Sequence, residues 1–519
     1  MLIWVTLRRL LHTEQRRGYN TLSNHFFPIS DYPELTVRVC MKAIPMGLGL
    51  NPRNDLPTTA VFKPIAKTHL GLLTLVCLIV GNMIGAGVYV NSFYSLSSLH
   101  DARLVLIVWL VGGIHALCGA VAYGSVASRL PVSGGEYTYL SRCVHPGIGF
   151  VAGWVSIIAG FTAPIAVTAL LLGNYVVDLA TVDPMTKALW QKIVATLAIA
   201  LAGILHACHL RIGTGFNNAV IAVKLLCFSV FLAIGIPFIL STPSDGMLVM
   251  PSSSSELPRS LMERLADPAT LGLMLVQLFY VSLAYTGFNA SIYLAGDIDD
   301  RQESSKGLVA LSMWISCVLV MILYLLLNAV FLYGLSATEI VAAGEGFVPV
   351  VAKHIGGESL SMIMRVAIIL SALTSVLSMM ATGPMVYAQM ARDGWLPQLV
   401  HWPSQSTRRP IAIQAALSCL VVWFSTIEGI ISYLGLTLTA CGALAVSSIW
   451  IAKTGFTSPK PVRWYEHMAT ATYVGGAILL LIVASQSEAQ RIRLYLCLAT
   501  FATGAIFYFA SRSSHDSSG

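Results

Sequence analysis

Apolar residues fill most of this chain in stretches of about 20 or more, parted by short segments that hold most of the charge. Runs of that length suit helices crossing a bilayer; a membrane barrel would show shorter segments of alternating polarity instead. Twelve spans are expected, at about 70–95, 103–128, 147–178, 189–208, 212–240, 269–295, 307–334, 360–390, 410–427, 430–452, 468–485 and 492–511. The pattern predicts an all-α polytopic membrane protein. Residues 1–66 differ from the rest, with Arg8, Arg9, Arg16 and Arg17 standing among Asn, Pro and Thr. They are expected to form a poorly ordered tail.

Two spans interrupt their own pattern. The first contains Val80-Gly81-Asn82-Met83-Ile84-Gly85-Ala86-Gly87-Val88-Tyr89. A glycine in a helix costs about 1 kcal/mol against alanine, and backbone freed at membrane depth survives only where protein or a watery cavity covers it. Gly81 and Gly85 also have the spacing of a small-xxx-small packing face, which is the plainer reading. The sixth span tips the balance, because Ala284-Tyr285-Thr286-Gly287-Phe288-Asn289 breaks it near its middle as well. Weakened helices at matching positions of two halves point to a binding site at a repeat interface. The expected organisation is therefore a 5+5 inverted repeat with discontinuous helices 1 and 6. The first repeat takes residues 67–240, a long loop 241–268 and the second repeat 269–455. Two peripheral helices follow over 456–512, then a short tail over 513–519.

Composition and charge narrow the class further. Of 519 residues, 56% are apolar and 11% charged, where a soluble domain has about 25% charged. Mean hydropathy is +0.74. An even number of spans puts both termini on one side. Segments on that side hold 21 of the 31 Lys and Arg, the opposite loops 8, so both termini are expected in the cytoplasm and the 241–268 loop outside. The net charge of +7 is then a topology signal and requires no nucleic-acid partner. Ten cysteines are scattered, Cys77, Cys118, Cys227, Cys317 and Cys419 within spans, with no C-x-x-C pair. They read as packing residues, so no metal or cofactor is expected. H-E-x-x-H, G-x-S-x-G and the P-loop are missing from the sequence, which argues against an enzyme or a nucleotide-driven pump.

Four motifs fall in order along the spans. Gly81-Asn82-Met83-Ile84-Gly85-Ala86-Gly87 resembles a G-x-x-I-G-x-G element, and Pro131-Val132-Ser133-Gly134-Gly135-Glu136-Tyr137 a P-x-S-G-G-E-Y loop. Leu283-Ala284-Tyr285-Thr286-Gly287-Phe288 is similar to F-A-Y-x-G-W. Gly383-Pro384-Met385-Val386-Tyr387-Ala388-Gln389-Met390-Ala391-Arg392-Asp393-Gly394-Trp395-Leu396-Pro397 is similar to the ending G-P-R-V-x-Y-A-M-A-R-D-G-x-x-P. Together they make residues 65 to 455 resemble the amino acid–polyamine–organocation superfamily of permeases. Departures are Leu283 and Phe288 for Phe and Trp, Met385 for Arg, and Asp297 for Glu after the sixth span.

The resemblance implies a secondary transporter of amino acids working by alternating access, as symporter or antiporter, in a plasma or inner membrane. Unwound backbone at Gly85, Ala86 and Gly87 offers N–H groups to a carboxylate, with the positive end of the next half-helix behind them. Carbonyls at Met83, Ile84, Leu283, Ala284 and Tyr285 would accept from the ammonium, and Gly287, Phe288 and Asn289 would face the side chain. Lys224, in the middle of span five, is too deep to snorkel and faces the interior. In the superfamily a lysine here reaches the unwound first helix, where sodium-driven relatives hold a cation. This implies coupling to H⁺, with Na⁺ less favoured, and hydroxyls such as Ser375 and Ser378 are its candidate partners. His115, His206 and His209 lack ligand spacing and read as structural. Glu136 and Tyr137 are read as fastening their loop to the bundle. Some relatives pair with a glycoprotein through a cysteine between spans three and four; Asp178 to Gln191 contains none, so no disulfide-linked glycoprotein partner is expected. The alternatives kept open are a polyamine or organic-amine exchanger and a non-transporting membrane sensor.

Overall fold

The computed structural model describes residues 71–85, 87–180, 183–208, 210–241, 260–297, 307–396, 408–424, 427–452, 456, 460–486 and 488–516. All of these belong to one compact unit, Ile65–Gly519. The tail expected over 1–66 lies outside the described residues, as does Ala86.

The elements follow the apolar runs. The first span is α1 (Leu72–Met83) and α2 (Gly87–Leu99), the second α3 (Ala102–Arg129). A short helix, α4 (Gly135–Cys143), precedes a third span made of α5 (Pro146–Val155), a π-helical stretch (Ser156–Thr162) and α6 (Ala163–Asp178). Next come α7 (Pro184–Cys208), α8 (Leu210–Ser241), the short α9 (Leu261–Ala266) and α10 (Pro268–Ala284), which a 3-10 segment (Ala290–Asp297) continues. The order closes with α11 (Leu308–Tyr333), α12 (Ala337–Ala343), α13 (Phe347–Arg392), α14 (Arg408–Phe424), α15 (Ile427–Ile451), α16 (Trp464–Gln486) and α17 (Glu488–Asp516). Among the described residues there is no strand.

Eight helical segments among the described residues are long and apolar enough to cross a membrane singly, and the bent pair α1 and α2 makes a ninth. The three other expected spans correspond to α10 with its 3-10 continuation, α14 and α15. The protein is an all-α, multi-span integral membrane protein. Of the eight single spans the third is the most enclosed, with 78% of its most apolar window buried in protein, against 28% for α7, α8 and α16 and 17% for the last span. The last two helices, like α7 and α8, therefore bury little of their surface in protein. Within the third span, Pro164 has no N–H to donate and its ring crowds the carbonyl four residues back. The π-helical widening at Ser156–Thr162 takes up that misfit.

Two of the four motifs, the 131–137 loop and the ending of the eighth span, meet at one end of the bundle beside the 3-10 segment of the sixth span. The Ser133 hydroxyl accepts from the Gly296 N–H (2.9 Å), and Tyr137 OH donates to Asp393 (2.6 Å), which also pairs with Arg142 (2.8 Å). Gly135 has φ +61, and a Cβ there would run into the Tyr293 ring. The paired glycines of this loop are thus required by backbone shape and by close approach to the sixth span.

Candidate substrate site

Both predicted breaks are present, and they touch. At the end of α1, Ile84 leaves helical geometry (φ −84, ψ 79), and the Gly85 N–H turns back to the Met83 carbonyl at 3.0 Å. The axes of α1 and α2 differ by 41°. In the sixth span α10 stops at Ala284, and the chain turns through Gly287 at φ +93, a conformation glycine adopts without strain. A Cβ on Gly87 would come within 2.8 Å of Ala284 Cβ, and one on Gly287 within 3.0 Å of the Asn82 side chain. The missing side chains are what let the two breaks meet.

One tyrosine from the seventh span spans both. The Tyr324 hydroxyl lies 2.8 Å from the Met83 carbonyl and 3.1 Å from that of Ala284, dividing one proton between two broken ends. The Leu283 carbonyl accepts from both the hydroxyl (2.7 Å) and the N–H (3.1 Å) of Thr286, which uses both its lone pairs. It therefore drops out of the carbonyl set that the sequence suggested for an ammonium. The Met83 carbonyl, which accepts from Tyr324 OH and from the Gly85 N–H, drops out in the same way, while Ile84 and Ala284 each keep a lone pair.

Lys224 is fully buried, and its Nζ reaches the Ile84 carbonyl at 3.3 Å and Thr374 Oγ1 at 2.8 Å. Its hydroxyl partner is therefore Thr374, not Ser375 or Ser378. Those two serines lie further round the same helix and face α1 and α8. Ser375 donates to the Gly81 carbonyl (3.0 Å), and Ser378 accepts from Asn217 (3.2 Å). A Cβ on Gly85 would sit 3.1 Å from Ser375 Oγ, and one on Gly81 would strike Ser378 Oγ.

Beside the breaks lies a cavity of about 130 Å³. Of the predicted residues, Tyr285, Gly287, Phe288 and Asn289 line it; Met83, Ile84, Gly85, Gly87, Leu283 and Ala284 do not, and α1 reaches it through Asn82. The rest of the wall was not foreseen. Glu136 lines the cavity, accepting from Tyr123 OH (2.9 Å), Asn289 Nδ2 (2.8 Å) and Tyr293 OH. It does fasten its loop, and it also puts a carboxylate on the cavity wall. His115, read as structural, lines the same cavity and stacks on Tyr473 of α16 (4.8 Å between rings). Glu136 sat inside a recognisable motif, so a signal existed. Tyr473 had none, being one aromatic residue in a lipid-facing helix. His209 lies outside the described residues.

Comparison with known proteins agrees with this architecture. The family model described as "Amino acid permease" matches residues 70–506. The chain is 26% identical over 392 residues to the mouse large neutral amino acids transporter small subunit 2, covering 73% of this chain and 70% of the relative. It is 25% identical over 370 residues to the serine/threonine exchanger of Bacillus subtilis (strain 168), covering 69% and 77%. The human Asc-type amino acid transporter 1 is 22% identical over 334 residues, covering 64% and 61%. These relatives are transporters, not enzymes. With two broken spans in contact and a family match running from the first span into the last, the chain belongs to the amino acid permease family of the amino acid–polyamine–organocation superfamily.

Proposed function

We propose that this permease carries neutral amino acids by alternating access and holds the zwitterion where its first and sixth spans break. The observation that carries the reading is the contact between the breaks, Gly87 on Ala284 and Gly287 on Asn82, beside a cavity of about 130 Å³. A zwitterion leaving water needs fixed partners for both charges. Its carboxylate is assigned to the backbone N–H groups that follow Gly85, whose own N–H is taken by the Met83 carbonyl, at the positive end of α2. Its ammonium is assigned to the second lone pairs of the Ile84 and Ala284 carbonyls, with Tyr285, Phe288 and Asn289 toward the side chain. Neutral substrates are favoured by the names of two relatives, a large neutral amino acids transporter and a serine/threonine exchanger.

Lys224 is assigned the coupling role. Its ammonium fills the space between α1 and α13 that a driving metal cation would need, which favours protons over sodium. In this scheme Ser375 holds α13 against α1 and Ser378 holds it against α8. Both termini are placed in the cytoplasm by the charge bias of the loops. With no cysteine between Asp178 and Gln191, no disulfide-linked partner is proposed.

A second reading, exchange of an organic amine, has one observation in its favour: the carboxylate of Glu136 on the cavity wall. Purified protein in liposomes separates the two. Loaded with unlabelled substrate, the vesicles should take up labelled neutral amino acids, with uptake competed by other neutral amino acids and not by putrescine or spermidine. Uptake of the polyamines alone would favour the second reading, and no uptake of either would end both.

A further inference from the structure

The cavity does not stop at the helix breaks. It continues behind the sixth span to the junction of α3 and α16, where Gly112, His115, Tyr473 and Leu480 complete its wall. We infer that this junction selects the side chain of the transported amino acid, and that Tyr473 and His115 set a preference for large aromatic side chains. The inference rests on the permease reading above and gives that site its substrate class.

The wall is built rather than incidental. His115 Nε2 lies 3.1 Å from the Tyr473 backbone carbonyl. A carbonyl only accepts, so Nε2 carries a proton and donates it to Tyr473. The two rings stack at 17°, and Tyr473 stands nearly edge-on to Phe288 (84°, 6.1 Å between rings). Their places are reserved by glycines on three helices. A Cβ at Gly476 would lie 2.6 Å from the His115 ring, one at Gly119 would lie 2.6 Å from Phe288 and 2.7 Å from Tyr473, and one at Gly442 would lie 2.9 Å from the Tyr473 hydroxyl.

Phe161, Tyr285 and Phe288 supply further aromatic surface to the same cavity, which suits edge and face contacts with another ring. One polar group there lacks a mate: the Ser282 hydroxyl is buried, has no hydrogen-bond partner among the described residues and lines the cavity. A ring with a polar edge, as in tryptophan or tyrosine, meets both demands. A small side chain such as serine's would leave this end of the cavity to water.

The test is substrate discrimination in proteoliposomes, read as the tryptophan-to-serine ratio of kcat/KM. In Tyr473→Ala the ratio is expected to fall about tenfold, chiefly through KM for tryptophan, as expected for loss of an aromatic contact. Tyr473→Phe, which keeps the ring, should restore it. If Tyr473→Ala does not assemble, His115→Gln carries the test, since an amide can still donate to the Tyr473 carbonyl while the stacking ring is gone. A ratio unchanged in the folded variants, even with both rates reduced, would show that these residues only pack the helices and would overturn the inference. Wild-type protein that transports no amino acid would instead overturn the permease reading.

Discussion

Lys224 shows what a single residue reveals and what it conceals. A lysine in the middle of an apolar run costs about 3 kcal/mol or more, so its importance could be read from position alone. Its partner could not. α13 carries hydroxyls at Ser371, Thr374, Ser375 and Ser378, all fully buried, and only the rotation of that helix decides which one meets the ammonium. The structure gives Lys224 to Thr374 and gives Ser375 to the Gly81 carbonyl. If Lys224 couples transport to protons, Lys224→Ala should abolish accumulation driven by an imposed proton gradient and leave exchange of internal for external substrate. Undiminished gradient-driven accumulation in the variant would remove that role.

The broken helices were legible because glycine in a lipid-spanning helix has a cost that sequence alone exposes. What fills the breaks was not legible. Tyr324 lies in an apolar run, where a tyrosine looks like packing; only coordinates show its hydroxyl between the Met83 and Ala284 carbonyls. Glu136 was misjudged in part for a similar reason. Its motif places it in a loop, and the loop helix α4 carries it inward until three neutral donors surround its carboxylate. Glutamine at this position would set an amide donor against those donors. Glu136→Gln is therefore expected to lower stability by about 1.5–3 kcal/mol, as for a lost hydrogen bond to a charged group. Thermal unfolding in detergent reads this as a clear drop in Tm, and an unchanged Tm would mean that an amide serves the three donors as well as a carboxylate.

Taken as a whole molecule, twelve apolar runs were enough to anticipate the bundle and its lipid-facing last pair. They were not enough to show that α16 is locked to α3. The buried Arg129 guanidinium pairs with Glu466 at 2.9 Å and donates to the Lys460 and Pro461 carbonyls, while Tyr473 and His115 join the same two helices further in. Removing one partner of a buried pair leaves an uncompensated charge, so Arg129→Met should cost about 3–5 kcal/mol and lower Tm. The exposed pair Lys353–Glu358 makes the control, and its loss should leave Tm unchanged. If the broken first and sixth spans grip the transported amino acid between them, a cryo-EM map of the protein at saturating substrate will show it there. Density bridging the backbone of residues 85–87 and the turn at 285–289 is expected. A substrate bound elsewhere, with that junction empty, would contradict it.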